Sequence, residues 1–353
     1  MYEIEGRLKK TIISPATTIQ DAVPVLNDAG LGVLLICDGD RKLLALMTDG
    51  DIRRAIINRV SFDKPCIDIA NKKLLFAKKG LSEMQALHLM DTGKSFPVNH
   101  LPVVDEENRV IDLILRKDLI SEESLNLRAM IMAGGKGTRL RPLTEDMPKP
   151  MLPVGVSPLL EKTVENLRHS GIQQINIATH YLKEKIKEHF GDGEEFGVSI
   201  QYVEETKPLG TAGALGLIDS STEPILVING DIVTNVDFSA MLGFHRKHNA
   251  DMTVATRGYD FKMPFGVVDT DGMKISSVRE KPEIHHFILA GIYLLNPAVC
   301  SYVPAGEPHD MPDLIQRLVN DGKNVINFPI YEYWLDIGGF EDYRRAQDDF
   351  NDG

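Results

Sequence analysis

The stretch Arg128–Pro153, RAMIMAGGKGTRLRPLTEDMPKPMLP, constrains this 353-residue chain more than any other. A short apolar run, Ala129 to Ala133, reads as a buried strand. It gives way to a turn built on Gly134, Gly135 and Gly137, with Lys136, Thr138, Arg139 and Arg141 around it. A further cation, Lys149, is held between Pro148 and Pro150. Glycines let a backbone approach a ligand closely and turn its N–H groups inward, which suits an anion such as phosphate. Cations gathered at such a turn point the same way. Two common phosphate motifs are excluded. A P-loop needs Gly-Lys-Ser/Thr four residues after its first glycine, and the dinucleotide fingerprint needs a glycine where Leu140 stands. What remains is GGxGTRLxPLT followed by PKP.

Composition narrows the partners. With 43% hydrophobic and 25% charged residues the chain is globular and long enough for two domains. A net charge of −12 argues against a nucleic-acid binder with a broad basic face. Most of that charge falls after residue 125, where 22 Lys/Arg stand against 32 Asp/Glu. An acidic domain that binds anions must gather its cations locally and recruit a divalent metal. No apolar run reaches membrane-spanning length and the N-terminus lacks a signal-peptide core, so no membrane partner and a cytoplasmic location are expected. Cys37, Cys66 and Cys300 lie far apart in apolar contexts and read as buried free thiols.

From residue 128 the pattern alternates. Strands are expected at 128–132, 174–179, 198–203, 224–229 and 251–256, with helices near 158–170, 182–190, 210–217 and 237–248. Such alternation predicts an α/β fold with a Rossmann-like, mostly parallel sheet. Shorter strands at 265–269, 274–279, 286–295 and 324–328 suggest an antiparallel extension, with helices near 311–320 and 340–349. Before residue 120 the order helix, strand, turn, strand, acidic helix start occurs twice, about 65 residues apart, which signals a tandem repeat. Domains are therefore expected at 1–120 (repeats about 8–60 and 61–120) and 128–353. The linker, 121–127, is too short for a freely flexible tether.

The string from Gly134 through Pro150 resembles the nucleotidyltransferase family that makes nucleotide-sugars from a nucleoside triphosphate (NTP) and a sugar 1-phosphate. The resemblance implies that Ala133, Gly134, Gly135, Gly137 and Thr138 hold the nucleotide. It also implies that Arg139 takes the β- and γ-phosphates and that Lys149 sits by the α-phosphate. Asp231, in Ile228-Asn229-Gly230-Asp231, and Asp336, in Trp334-Leu335-Asp336-Ile337-Gly338, match the family's Mg²⁺ ligands. A carboxylate at the end of a parallel strand faces the ligand crevice, and two carboxylates plus phosphates and water make a normal Mg²⁺ site. Gly266, Glu280, Lys281 and Gly291 match positions that bind the sugar phosphate. Arg139, Lys149, Asp231 and Lys281 are thus the expected catalytic set. No general base is demanded, because a phosphate monoester is already largely ionised near its second pKa of about 6. Positioning and electrostatics should dominate.

Base recognition is expected in Glu204–Ala214, through Gly210 and Glu205, though adjacent Glu204 leaves the register open. A carboxylate only accepts hydrogen bonds; guanine offers two adjacent donors, whereas uracil or thymine offers one beside repelling carbonyls. GTP is therefore favoured, with UTP or dTTP as alternatives. Leu289-Ala290-Gly291-Ile292-Tyr293 departs from the family's NAGIY at Leu289, which bears on the sugar. The most similar members are bacterial guanylyltransferases of surface-sugar pathways, including those leading to legionaminic acid. They place glucosamine 1-phosphate ahead of mannose 1-phosphate.

The N-terminal repeat resembles a pair of cystathionine-β-synthase (CBS) domains, α+β modules that commonly bind adenosine phosphates and pair with a second copy. The first repeat keeps the family's ligand pair as Thr48 and Asp51; in the second, Leu115 precedes Asp118. An adenosine nucleotide at Thr48 and Asp51 and a homodimer or higher homo-oligomer are the corresponding expectations. A plain spacer or dimerisation role stands beside them. A nucleotide sensor with an inactive transferase half is the other class of reading.

Overall fold

A computed structural model describes residues 8–92, 98–119, 125, 127–219 and 221–351, and the chain divides into units 1–123 and 124–353. The expected linker falls largely outside the described residues.

In the first unit, β1 (Ile12–Ile13) lies parallel to β2 (Val33–Cys37), which pairs antiparallel with β3 (Leu43–Thr48). The second repeat reproduces this with β4 (Ala77–Lys78), β5 (His100–Val104) and β6 (Val110–Leu115). The Val33–Cys37 run is buried throughout because it packs on both faces. Val33, Leu35 and Cys37 share one core with Val104, Val110, Leu113 and Leu115, so the copies pair through their sheets. The acidic helix start of the first repeat opens the helix Asp49–Ile57. Asp51 accepts the backbone N–H and hydroxyl of Thr48, both at 2.8 Å, which caps the first turn.

In the second unit, β7 (Arg128–Met132) leads to the short pair β8 (Pro153–Val154) and β9 (Ser157–Pro158) and the helix Leu159–His169. β10 (Gln174–Thr179), β11 (Ser199–Glu204) and β12 (Ile225–Asn229) follow, then the short β13 (Ile232–Thr234). The chain continues through β14 (Met252–Lys262), β15 (Val267–Asp271), β16 (Lys274–Arg279), β17 (Glu283–Leu295), β18 (Val325–Ile330) and β19 (Trp334–Asp336). The main sheet has the order β11-β10-β7-β12-β17-β14-β18. Its first four strands are parallel, β17 runs antiparallel to β12 and β14, and β18 is parallel to β14. The expected Rossmann-like half and antiparallel extension are both present. Helices Leu159–His169 and Phe238–Lys247 put Leu160, Val164, Leu167, Met241 and Leu242 against one face. Helix Met311–Asn320 puts Met311, Leu314 and Leu318 against the other.

Two expectations need correction. The helix near 210–217 is an irregular loop followed by a 3₁₀ turn, Gly213–Leu217. Gly210, Gly213 and Gly216 lower helix propensity there, and Asp310 draws the loop toward itself by accepting the N–H of Thr211 at 2.9 Å. The strands expected at 251–256 and 286–295 extend to 252–262 and 283–295. They continue past the sheet as a two-stranded ribbon, Tyr259 opposite His286 and Phe261 opposite Ile284. No residue from 257 to 289 is buried.

Candidate active site

Parallel strands deliver ligands to their carboxyl ends, and the crevice falls where the strand order reverses. Here that point lies between β7 and β12, each flanking strand leading into one expected motif. The loop after β7 opens with Gly134, whose missing side chain matters: a Cβ there would lie 3.2 Å from the Glu205 carboxylate. At Gly135 the same direction is open space, a surface a ligand can approach. Gly137 has φ +60°, and a Cβ would lie 2.9 Å from that of Lys149, so the loop and the PKP segment are packed together. Thr144 reinforces this by donating its hydroxyl to the Gly137 carbonyl at 2.8 Å.

Asp231 follows β12 across Gly230, whose N–H donates to Met132 O at 2.9 Å, so both carboxyl ends are sewn together. Asp336 arrives by a connection absent from the sequence pattern. β19 pairs antiparallel with β13, setting Ile232 opposite Asp336, and Ile337 N–H donates to Asp231 O at 3.0 Å. Trp334 fixes β19 further by donating Nε1–H to Ala290 O at 2.8 Å. That carbonyl is freed by a bulge at Gly291, φ +68°, where a Cβ would lie 2.3 Å from Ile232 Cδ1. Gly291 is thus a packing requirement of the β13 wall. Gly210 is one likewise: at φ +76° its Cβ would lie 2.5 Å from Asp310 Oδ1, so close approach of protein accounts for it.

Lys149, almost fully buried, reaches Asp231 Oδ2 at 2.5 Å. Partial desolvation, and next the charge of Asp231, push the Asp336 carboxyl up; Lys149 and Arg139 pull it back. Arg139 also stands over Gly338, its Nη1 3.3 Å from where a Cβ would be. Two converging carboxylates are hard oxygen donors that fit a Mg²⁺-like cation. Among the described residues no third carboxylate, histidine or cysteine joins them, so phosphate and water would fill the remaining positions.

The neighbouring glutamates separate cleanly. Glu204 is exposed, pairs with Lys183 at 2.6 Å and with Lys187, and its carboxyl is held near 2 by those two ammonium groups. Glu205 is buried beside Gly134 and accepts the Leu209 N–H at 3.1 Å; burial pushes its carboxyl up, against that hydrogen bond and His180. Glu205 therefore faces the loop and Glu204 faces solvent.

Of the sugar-phosphate set, Gly266 and Glu280 meet at the base of the antiparallel β15–β16 hairpin, a Cβ at Gly266 lying 3.2 Å from Glu280 Oε2. Lys281 follows with a left-handed backbone, φ +41°, beside the cross-strand Met263 N–H to Pro282 O bond at 3.0 Å. Among the described residues no ion pair joins Glu280 or Lys281 to Lys149, Asp231 or Asp336. Ala133 is buried below the loop, while Thr138 lies at its exposed rim. Two further groups lacked any sequence signal beyond their place at strand ends: Thr179 Oγ1 and Asn229 Oδ1 are buried with no hydrogen-bond partner. In the first unit, Asp51 is engaged by Thr48 and by Arg54 at 2.5 Å, so this pair already serves its own helix.

A family model described as nucleotidyl transferase matches residues 128–353. The chain belongs to the nucleotidyl transferase family. Ahead of the transferase domain, CBS domain models match residues 9–58 and 66–124. The transferase is 35% identical over 241 residues to a UTP–glucose-1-phosphate uridylyltransferase of Synechocystis, covering 62% of each chain. It is 33% identical over 228 residues to a probable mannose-1-phosphate guanylyltransferase of Oryza sativa, covering 62% of this chain and 63% of the relative. The matches thus span less than two thirds of those relatives' length. A crystal structure of a putative glucose-1-phosphate thymidylyltransferase from Bacillus anthracis superposes with a TM-score of 0.54 at 28% identity. That match covers 64% of this chain and 96% of that one. No helix among the described residues is long and apolar enough to cross a membrane.

Proposed function

We propose that the protein transfers a nucleoside monophosphate from an NTP to a sugar 1-phosphate, releasing pyrophosphate. GTP is the favoured donor and glucosamine 1-phosphate the favoured acceptor, with mannose 1-phosphate next. The observation that carries the reading is the meeting of Lys149, Asp231 and Asp336 from three distant segments beside an open glycine loop. In this reading the N–H groups of 134–138 and Arg139 hold the triphosphate, and Lys149 neutralises the α-phosphate as the sugar phosphate oxygen attacks in line. Glu280 and Lys281 hold the sugar phosphate. A Mg²⁺ ion held by Asp231 and Asp336 would neutralise charge on the phosphates. Asn229 and Thr179 offer unpaired buried oxygens for ordering the crevice once substrate arrives.

The guanine preference rests on Glu205. Its burial against Gly134 fixes an acceptor-only carboxylate beside the nucleotide loop, and the fixed Leu209 contact holds its rotamer. Similarity to a uridylyltransferase favours a second reading, UTP or dTTP with glucose 1-phosphate. A surface-sugar pathway such as legionaminic acid synthesis, an adenosine nucleotide at the CBS pair and a homodimer complete the proposal. The test is pyrophosphate release from GTP, UTP and dTTP with glucosamine, mannose and glucose 1-phosphates, with and without AMP. Turnover with GTP alone supports the first reading; turnover with UTP or dTTP above GTP overturns the base assignment. No Mg²⁺-dependent release with any pair would leave the sensor reading instead.

A further inference from the structure

The ammonium of Lys149 stands 2.5 Å from Asp231 Oδ2. A Mg²⁺ or Mn²⁺ ion on Asp231 would need an oxygen distance of about 2.0–2.2 Å, and so would compete for the position the ammonium fills. A divalent ion and an ammonium crowded onto one carboxylate repel, and the burial of Lys149 weakens the screening that water would otherwise give. The lysine also cannot withdraw as a whole. Its Cβ packs on Gly137, and its backbone is fixed in the short 3₁₀ turn Lys149–Met151 between prolines. Only the far end of its four-carbon stem can swing, and the open face at Gly135 is where a phosphate would meet it.

We infer that Lys149 is the resident counter-cation of the metal site, so that a divalent ion binds tightly only together with a triphosphate that draws the ammonium off Asp231. This rests on the proposed reading of Asp231 and Asp336 as metal ligands. The pairing does two things for the reaction. It prevents two adjacent carboxylates from facing each other uncompensated before substrate arrives. It also makes the same lysine report the arrival of the α-phosphate, the group it neutralises during transfer. By linkage, whatever factor the triphosphate adds to metal affinity, the metal adds to triphosphate affinity.

The experiment is titration of the full chain with Mn²⁺, followed by the electron paramagnetic resonance signal of free Mn²⁺ and by calorimetry. Wild type, Lys149→Met, Lys149→Gln and Lys149→Arg are compared without nucleotide and with a non-hydrolysable GTP or UTP analogue. Wild type should bind Mn²⁺ weakly alone and roughly tenfold or more tightly with the analogue, on the scale of one removed like-charge contact. The Met and Gln variants should bind Mn²⁺ without nucleotide about tenfold tighter than wild type, and Arg, which keeps the charge, should stay weak. Having two neutral variants keeps the comparison intact if one of them loses its cooperative melt. Equal nucleotide-free binding by wild type and the neutral variants, or weaker binding by the variants, overturns the inference while leaving the metal assignment standing. Absence of Mn²⁺ binding in every protein even with the analogue overturns both. An Asp231→Asn control, expected to bind no Mn²⁺ without nucleotide and, with the analogue, only the Mn²⁺ that the analogue holds in a protein-free blank, distinguishes this site from stray carboxylates.

Discussion

Against Gly137 pack the buried Lys149 and Thr144, whereas no residue from 257 to 289, around Gly266, is buried at all. In the proposed reading both regions belong to one site, as a triphosphate half and a sugar half. The triphosphate half hangs on the carboxyl ends of central strands, so its positions are set by the main core. The sugar half sits on strands that have left that core, held by ribbon pairing and by exposed ion pairs such as Arg279–Asp269. Exposed pairs of this kind contribute little. One region is thus anchored in buried core, while the other rests on strand pairing with both faces open to solvent. Tyr259, Phe261, Phe265, Ile275, Val278 and Phe287 are all exposed in this second region.

Four outcomes would break or sharpen the contrast. Asp231→Asn should lower kcat by roughly 10³-fold, the scale of one lost electrostatic stabiliser compounded by metal loss, with the fold kept by circular dichroism. Activity within tenfold of wild type would remove Asp231 from the site. Gly291→Ala should cost about 2–4 kcal/mol in urea unfolding, because a left-handed backbone and a 2.3 Å clash with Ile232 combine. A neutral result would mean that the fixed half tolerates movement. Lys281→Ala should raise KM for the sugar phosphate about tenfold or more through loss of a charge-assisted contact, while Tm changes by only about 1 °C. A large stability loss instead would show that the ribbon is as cooperative as the sheet. Finally, Asp336→Asn should raise the Tm of the substrate-free protein by about 1–2 °C at neutral pH while lowering activity. The sign follows from its carboxyl being pushed up in the folded state. Folding then opposes ionisation, the penalty is present above the folded pKa, and it fades as pH falls through it. The gain should therefore shrink in acid, and a gain that grew in acid would contradict the arrangement.

The glycine loop and the strand leading to Asp231 were legible in the sequence because their signals are local. Gly137 beside Lys149, the strand ending at Asp231 and the tandem repeat before residue 120 are each carried by contiguous residues. The tie between Asp336 and Ile232 was not readable, since β13 and β19 are three residues each and pair across a long interval. Periodicity needs longer runs to declare itself. The 210–217 stretch misled because its apolar residues are spaced like a helix while Asp310, far along the chain, decides its course. The register of Glu204 and Glu205 needed the coordinates, since adjacent residues on a strand end point to opposite sides.

The antiparallel step that sets Asp336 opposite Ile232 also orders events in time. Chains are made from the N-terminus, so a ribosome-bound protein exposes the glycine loop, Asp231 and Lys281 well before Trp334–Asp336. Until then β13 has no partner strand and the second carboxylate does not exist. If Asp231 and Asp336 act together as proposed, a nascent or truncated chain lacks the last piece of that site until β19 has paired with β13.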